Sequence, residues 1–218
     1  MAGTGVNCRK PWRLPRVRHG GATLVYVLCL LVIILLLGVS AAQMALQGEK
    51  AARGERDRHI AFQAAEEALM DAQHDIEGLP GLPGRSALFA PSSAAGFASA
   101  CKGEPGLCLP AASGTPPVWL STDLGVADSG TVAYGQFTGA AMQTGQGFLP
   151  FKKPRYMIEL LPFHPPGEEA GAPAGAPVGL PSGAGYLYRV TAIGFGAQED
   201  TQVVLQTYYR KQAPGETP

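Results

Sequence analysis

The stretch "RHGGATLVYVLCLLVIILLLGVSAA" (residues 18–42) decides how the rest of this 218-residue chain is read. It passes from a basic approach through a Gly-Gly pair into an apolar run, and residues 22–46 carry no charge. At helical rise that length crosses a bilayer. Arg9, Lys10, Arg13, Arg16 and Arg18, with no acid among residues 1–21, put the short leading side in the cytoplasm and the rest of the chain beyond the membrane. Three fates fit such a segment. It is a retained anchor; or a secretory signal, since Ser40 and Ala42 offer small residues at the right separation for a cut before Gln43; or a helix of which only the basic front is trimmed.

The helical signal does not stop with the apolar run. "QGEKAARGERDRHIAFQAAEEALMDAQHDIEGLPG" (residues 47–81) has no proline before Pro80. Phe62, Ala65, Leu69, Ala72 and Ile76 recur at steps of three and four, which makes one apolar helix interface. Glu49 and Arg53 stand at the favourable i,i+4 spacing, and the charges around Arg56 and Asp57 read as a solvated face. Gly78 and Pro80 supply the stop. One helix therefore spans roughly residues 22–77, on the order of 80 Å at helical rise. Its half at 22–46 requires lipid or other apolar helices, and its amphipathic half at 47–78 requires a globular partner on one side.

Composition narrows the function. The chain has 17 basic and 17 acidic residues, but five of the basic ones lie in residues 1–21, so the remainder is acidic by five. That argues against nucleic-acid binding, which draws on a clustered basic face. The 29 glycines and 19 prolines fall mostly in the second half and predict long loops there. Residues 79–150 are expected to be loop-rich, including "PSSAAGFASA". Cys101 and Cys108 bracket the turn-like "KGEPGL" and suit a small disulfide loop in an exported region, whereas Cys29 acts as a small hydrophobe.

Strand signals gather in residues 151–210. "RYMIELL" sets Tyr156, Ile158 and Leu160 on one face and Glu159 opposite. "GYLYRVTAIGF" alternates Tyr188, Val190 and Ala192 against Arg189 and Thr191. After the polar turn "GAQED", "TQVVLQTYY" turns Val203 and Leu205 one way. The last two form an antiparallel hairpin with the first as neighbour. Residues 165–185 read as a Gly/Pro/Ala-rich surface loop and 211–218 as a tail. The predicted class is α+β: a long N-terminal helix whose second half packs on a small C-terminal antiparallel sheet.

The segment "RHGGATLVYVLCLLVIILLLGVSAAQMALQGEKAARGERDRHIAFQAAEEALMDAQ" resembles the N-terminal region of PilX-type minor pilins, within the type IV pilin superfamily. Its most specific part is "RDRHIAFQAAEEALMDAQ" (residues 56–73), and "GYLYRVTAIGFGAQEDTQVVLQTYYRK" is similar to that family's closing strands. The resemblance implies a prepilin peptidase that cuts after Gly21, with Gly20 as the alternative, and methylates the new amine of Ala22. This cut keeps the apolar helix, which anchors the subunit in the inner membrane and later joins a filament core. Most pilins carry a glutamate at the fifth mature position, which pairs with a neighbour's terminal amine; here that place is Tyr26. The resemblance thus implies a minor pilin that starts a type IV pilus, with a periplasmic C-terminal domain that ends in the pilus tip. Implied partners are other minor pilins, the major pilin, a pilus-tip adhesin, the prepilin peptidase and the inner-membrane assembly platform. The alternatives are a pseudopilin of type II secretion and an anchored periplasmic binding protein.

No catalytic constellation, cofactor motif or metal set is expected. Glu66, Glu67 and Asp71 are read as water-facing helix residues. Ser129 in "ADSGT" lacks partner motifs, and His59, His74 and His164 are too dispersed for a metal site. Tyr186, Tyr188, Tyr208 and Tyr209 are read as sheet packing.

Overall fold

The computed structural model describes residues 22–81, 84–90, 93–127, 130–163 and 185–211. The leader at 1–21 with Gly20 and Gly21, Ser129, His164, the loop at 165–184 and the tail at 212–218 lie outside the described residues. The chain divides into two compact units, Met1–Ala51 and Ala52–Pro218.

Helix α1 (Ala22–Glu77) runs through both. In the first unit every described residue is exposed, from Leu24 at 75% to Val32 at 48%, because the apolar side chains point all round the helix. The helix ends where a glycine was expected. Gly78 adopts φ +83°, the left-handed conformation that a side chain disfavours, and its N–H donates to His74 O at 2.8 Å.

In the second unit the helix packs on a mostly antiparallel sheet. Its strands are β1 (Leu107–Cys108), β2 (Val132–Ala133), β3 (Arg155–Phe163), β4 (Gly185–Phe195) and β5 (Gln202–Tyr209). The order is β1-β3-β4-β5, with β2 also pairing β3; β1 alone runs parallel to its neighbour. Tyr156 lies opposite Ala192 and Ile158 opposite Val190, and Ala192 lies opposite Leu205, so one register carries across three strands. The polar turn closes by Gly196 N–H donating to Thr201 O at 2.8 Å.

That register sorts the side chains into two cores. On the helix side Tyr156, Ile158, Leu160, Tyr188, Val190 and Ala192 bury against Ala68, Ala72 and Ile76, with Phe89 and Phe97 closing the end. On the other side Met157, Ile193 and Phe195 meet Cys101, Cys108, Val118 and Leu124 from the loop-rich segment. Short elements organise that segment: a one-turn helix α2 (Val118–Ser121), 3₁₀ turns at Ser86–Phe89 and Ser99–Cys101, and the disulfide between Cys101 and Cys108.

The buried face of α1 differs from the expected stripe. Ala65, Ala72 and Ile76 are buried, Leu69 is half-buried against the core, and Phe62 is 38% exposed. Ala61, Ala64 and Ala68 complete the face instead. The reason is close approach. A Cβ on Gly194 of β4 would lie 2.1 Å from Ala61 O and 2.3 Å from Ala65 N, so helix backbone rests on strand backbone and only small residues fit between.

Candidate functional site: the assembly surfaces

Two surfaces carry what this chain can do, and each grows from a different part of α1. The first is the apolar half of the helix. It is long and apolar enough to cross a membrane. It has no acid in its first turn, and Tyr26 is 71% exposed. Ala22 is its first described residue. Ser40 Oγ donates to Leu36 O at 2.8 Å, which satisfies the hydroxyl within its own helix. Such a surface binds lipid or other apolar helices through packing alone.

The second surface is the globular unit, held by polar clamps, two of which use acids that the sequence reading placed in water. Asp57 and Asp71, read as solvated, are 8% and 2% exposed. Asp57 Oδ1 accepts the N–H groups of Ala197 and Gln198 at 2.6 and 3.2 Å, fastening the β4–β5 turn to the helix. Asp71 accepts the Gly135 N–H at 2.8 Å and the Thr138 hydroxyl, fastening the loop after β2. Burial holds the Asp71 carboxyl above the usual carboxylate range, opposed by those two hydrogen bonds. Glu66 and Glu67 do face water as expected.

The strongest clamp is Asp75. Arg85 Nη2 donates to its Oδ2 at 2.7 Å and Arg85 Nε reaches both oxygens at 3.1 Å, while the Tyr156 hydroxyl donates at 2.9 Å. Both charges are buried, and the Arg85 guanidinium also lies 3.8 Å over the Phe137 ring. Burial raises the Tyr156 phenol above its ordinary value, and the adjacent Asp75 adds to this. On the opposite face of the sheet Arg189 grips the fully buried Glu159 through two hydrogen bonds of 2.8 and 2.9 Å. Of the four tyrosines read as packing, Tyr188 is buried between Phe89 and Phe97. Burial pushes its phenol up to about 12. Tyr209 donates to Glu77, whereas Tyr208 is 55% exposed.

The signal that could have found these clamps is spacing. Asp57, Asp71 and Asp75 share the face of Ala61, Ala64, Ala68 and Ala72, so each acid sits in a stripe of small residues rather than opposite it. Among the described residues no group of three or more His, Cys, Asp or Glu converges on a point. Both His59 and His74 are exposed.

Two family models match this arrangement, one to each half. The N-terminal model of PilX matches residues 20–69, the apolar helix and the start of the packed half. The C-terminal model of the type IV pilus assembly protein PilX matches residues 104–211, which take in the disulfide's second cysteine and every strand of the sheet. The chain belongs to the PilX family of type IV pilus assembly proteins. PilX is a structural family, and membership implies partners within the pilus machinery. The apolar half of the PilX helix is compatible with membrane anchoring. No curated protein and no solved structure matches the chain.

Proposed function

We propose that the chain is a minor pilin that helps to initiate type IV pilus assembly within a tip complex. The observation that carries this reading is Tyr26. Counted from Ala22 it holds the fifth helical position, and it stands exposed in a helix whose first acid is Glu49. A carboxylate in hydrocarbon is costly unless a partner charge meets it. A subunit with no neighbour ahead of it receives no such partner, and tyrosine there avoids the cost. In this reading the peptidase cuts between Gly21 and Ala22, Ala22 is methylated, and the apolar half passes from the inner membrane into the fibre. The face of Ala65, Leu69, Ala72 and Ile76 holds the globular unit that selects the other minor pilins, the major pilin and a tip adhesin. Cys101 and Cys108 stiffen its loop layer.

The test is genetic. Deletion of the gene removes surface filaments while enzyme export continues. Restoring the chain with Tyr26→Glu lowers filament number by about ten-fold relative to the parent. A Tyr26→Glu strain with parental filament numbers, or a deletion strain that keeps its filaments but loses enzyme export, overturns the reading.

A further inference from the structure

Exposed apolar side chains of the globular unit are spread over separate elements, as are Met70 of α1, Leu120 of α2 and Val204 of β5. Scattered in that way they are ordinary. One group is not. "GFLPF" (residues 147–151) sets Phe148, Leu149 and Phe151 on the surface together, with Phe148 67% exposed. The backbone that presents them is fixed. Gly145 N–H donates to Pro150 O at 2.8 Å, Leu149 N–H to Gln146 O at 3.0 Å and Phe151 N–H to Gly196 O at 2.6 Å. From the helix, the Arg56 guanidinium lies 4.2 Å over the Phe148 ring. Between loop and helix runs an open groove of about 620 Å³, with Ile60, Gln63 and Glu67 on one wall and Met142, Phe148 and Leu149 on the other.

Distance and charge say what covers this corner. The uncharged run ends at Leu46, and Arg56 stands ten residues further along α1, about 15 Å at helical rise. The headgroup layer beyond the hydrocarbon is only about 5–8 Å deep on each side. Apolar side chains held at Arg56 therefore lie outside the bilayer, and a protein surface covers them rather than lipid. Among the described residues the one directed contact of Arg56 is the Phe148 ring. Stacking on that ring leaves the edge of the guanidinium, with its N–H donors, open to an incoming carboxylate. At the other end of the groove Glu67 already accepts the Tyr134 hydroxyl at 3.5 Å and repels a second acid. The groove is thus polarised and fixes how a partner lies: carboxylate toward Arg56, apolar side chains between loop and helix, no acid at the Glu67 end. Phenylalanine, methionine and arginine gathered in one exposed place are also the residue types that protein interfaces favour.

We propose that the corner formed by Arg56, Phe148, Leu149 and Phe151 is the surface on which the globular unit takes a neighbouring pilin subunit of different sequence, through an apolar patch that carries an exposed carboxylate. The partner's acid meets Arg56, and its apolar side chains fill the groove beside Phe148. The contact joins two unlike surfaces and needs no two-fold axis, so both chains keep the same end toward the membrane. It rests on the minor-pilin reading for the class of partner, but concerns a surface which that reading leaves unassigned and in which Tyr26 takes no part.

The test uses the full chain in its own cells, with a photo-reactive phenylalanine analogue at position 148. Irradiated membranes and sheared filaments give a product with a second polypeptide, whose peptides identify it as a pilin with a processed N-terminus. The same analogue in place of Leu120, which is 64% exposed, gives none. Against the position-148 background Arg56→Glu lowers the yield about ten-fold, whereas Arg56→Lys, which keeps the charge, lowers it about two-fold. Both Arg56 and Phe148 are exposed, so neither Arg56→Glu nor Phe148→Ser moves the unfolding transition of the detergent-solubilised chain, which separates lost docking from lost folding. Products with phospholipid alone, products only with a second copy of this chain, equal yields from positions 120 and 148, or a yield indifferent to Arg56→Glu overturn the proposal. Loss of filaments on deletion together with no product from position 148 overturns the docking surface and leaves the minor-pilin reading standing. A pilin product from position 148 in cells that keep their filaments without the gene supports the surface while the initiating role fails.

Discussion

The two halves of α1 solve opposite problems with one backbone conformation. In residues 22–51 the helix carries large aliphatic side chains and buries none of them; in residues 57–76 it buries a face made almost wholly of alanine and aspartate. Composition alone therefore misleads about burial. The greasiest residues of the helix stand exposed, and a close backbone approach is made where a strand glycine meets two alanines. Large exposed side chains suit an interface formed later with lipid or with other helices. Small ones suit a helix that must lie flat on its own sheet and be fixed there by directed hydrogen bonds.

The sharpest way to break this contrast is to add bulk in each region. Gly194→Val drives a side chain into Ala61 O and Ala65 N, backbone atoms that cannot rotate away. We expect a loss of about 3–5 kcal/mol, or no folded globular unit, measured by chemical unfolding of the detergent-solubilised protein. Gly38→Ala in the apolar half meets nothing within 4 Å and leaves the same transition unchanged. Equal effects from the two would erase the distinction.

Next in size is the buried clamp. Asp75→Ala strands the Arg85 guanidinium, whose side chain is 8% exposed, and removes the acceptor of the Tyr156 hydroxyl. The expected cost is about 3–5 kcal/mol in the same unfolding experiment. A change below about 1 kcal/mol would mean that the clamp does not hold the helix to the 3₁₀ turn at Ser86–Phe89.

The smallest effect concerns pH. The Asp71 carboxyl is raised in the folded state above its ordinary 3.8. The folded protein then binds the proton more tightly than the unfolded chain, so the contribution of Asp71 to stability falls as pH rises from 3.8 through the folded value and stays reduced above it. Asp71→Asn has no such step. Midpoints of thermal unfolding for parent and variant, tracked from pH 7 down to pH 4, should shift relative to each other in favour of the parent as the pH falls. A constant difference would show that Asp71 does not titrate abnormally.

The same contrast explains how much was legible in the sequence. The apolar half, the helix stop at Gly78 and the alternation of Tyr156, Ile158, Tyr188 and Val190 depend on local sequence, and all appear in the structure at those positions. Strands β1 and β2 are two residues each, too short to leave a periodic signal, and they exist because β3 offers its far edge. Phe62 outweighs its neighbours in the stripe because a large residue dominates any hydrophobicity count, while Ala61 lies against Gly194 of β4, far away along the chain. Asp57 and Asp71 read as solvated for a related reason: the turn and loop N–H groups that make an acid tolerable inside belong to residues 197, 198 and 135.

The central claim is that the apolar half of α1 is kept in the working protein, as an anchor first and a filament element afterwards. The mass of the mature N-terminal peptide tests it most directly. The account predicts a chain that begins with N-methylated Ala22 and retains the whole helix. A mature chain that begins at Gln43 would contradict it, because the surface on which assembly depends would have been discarded.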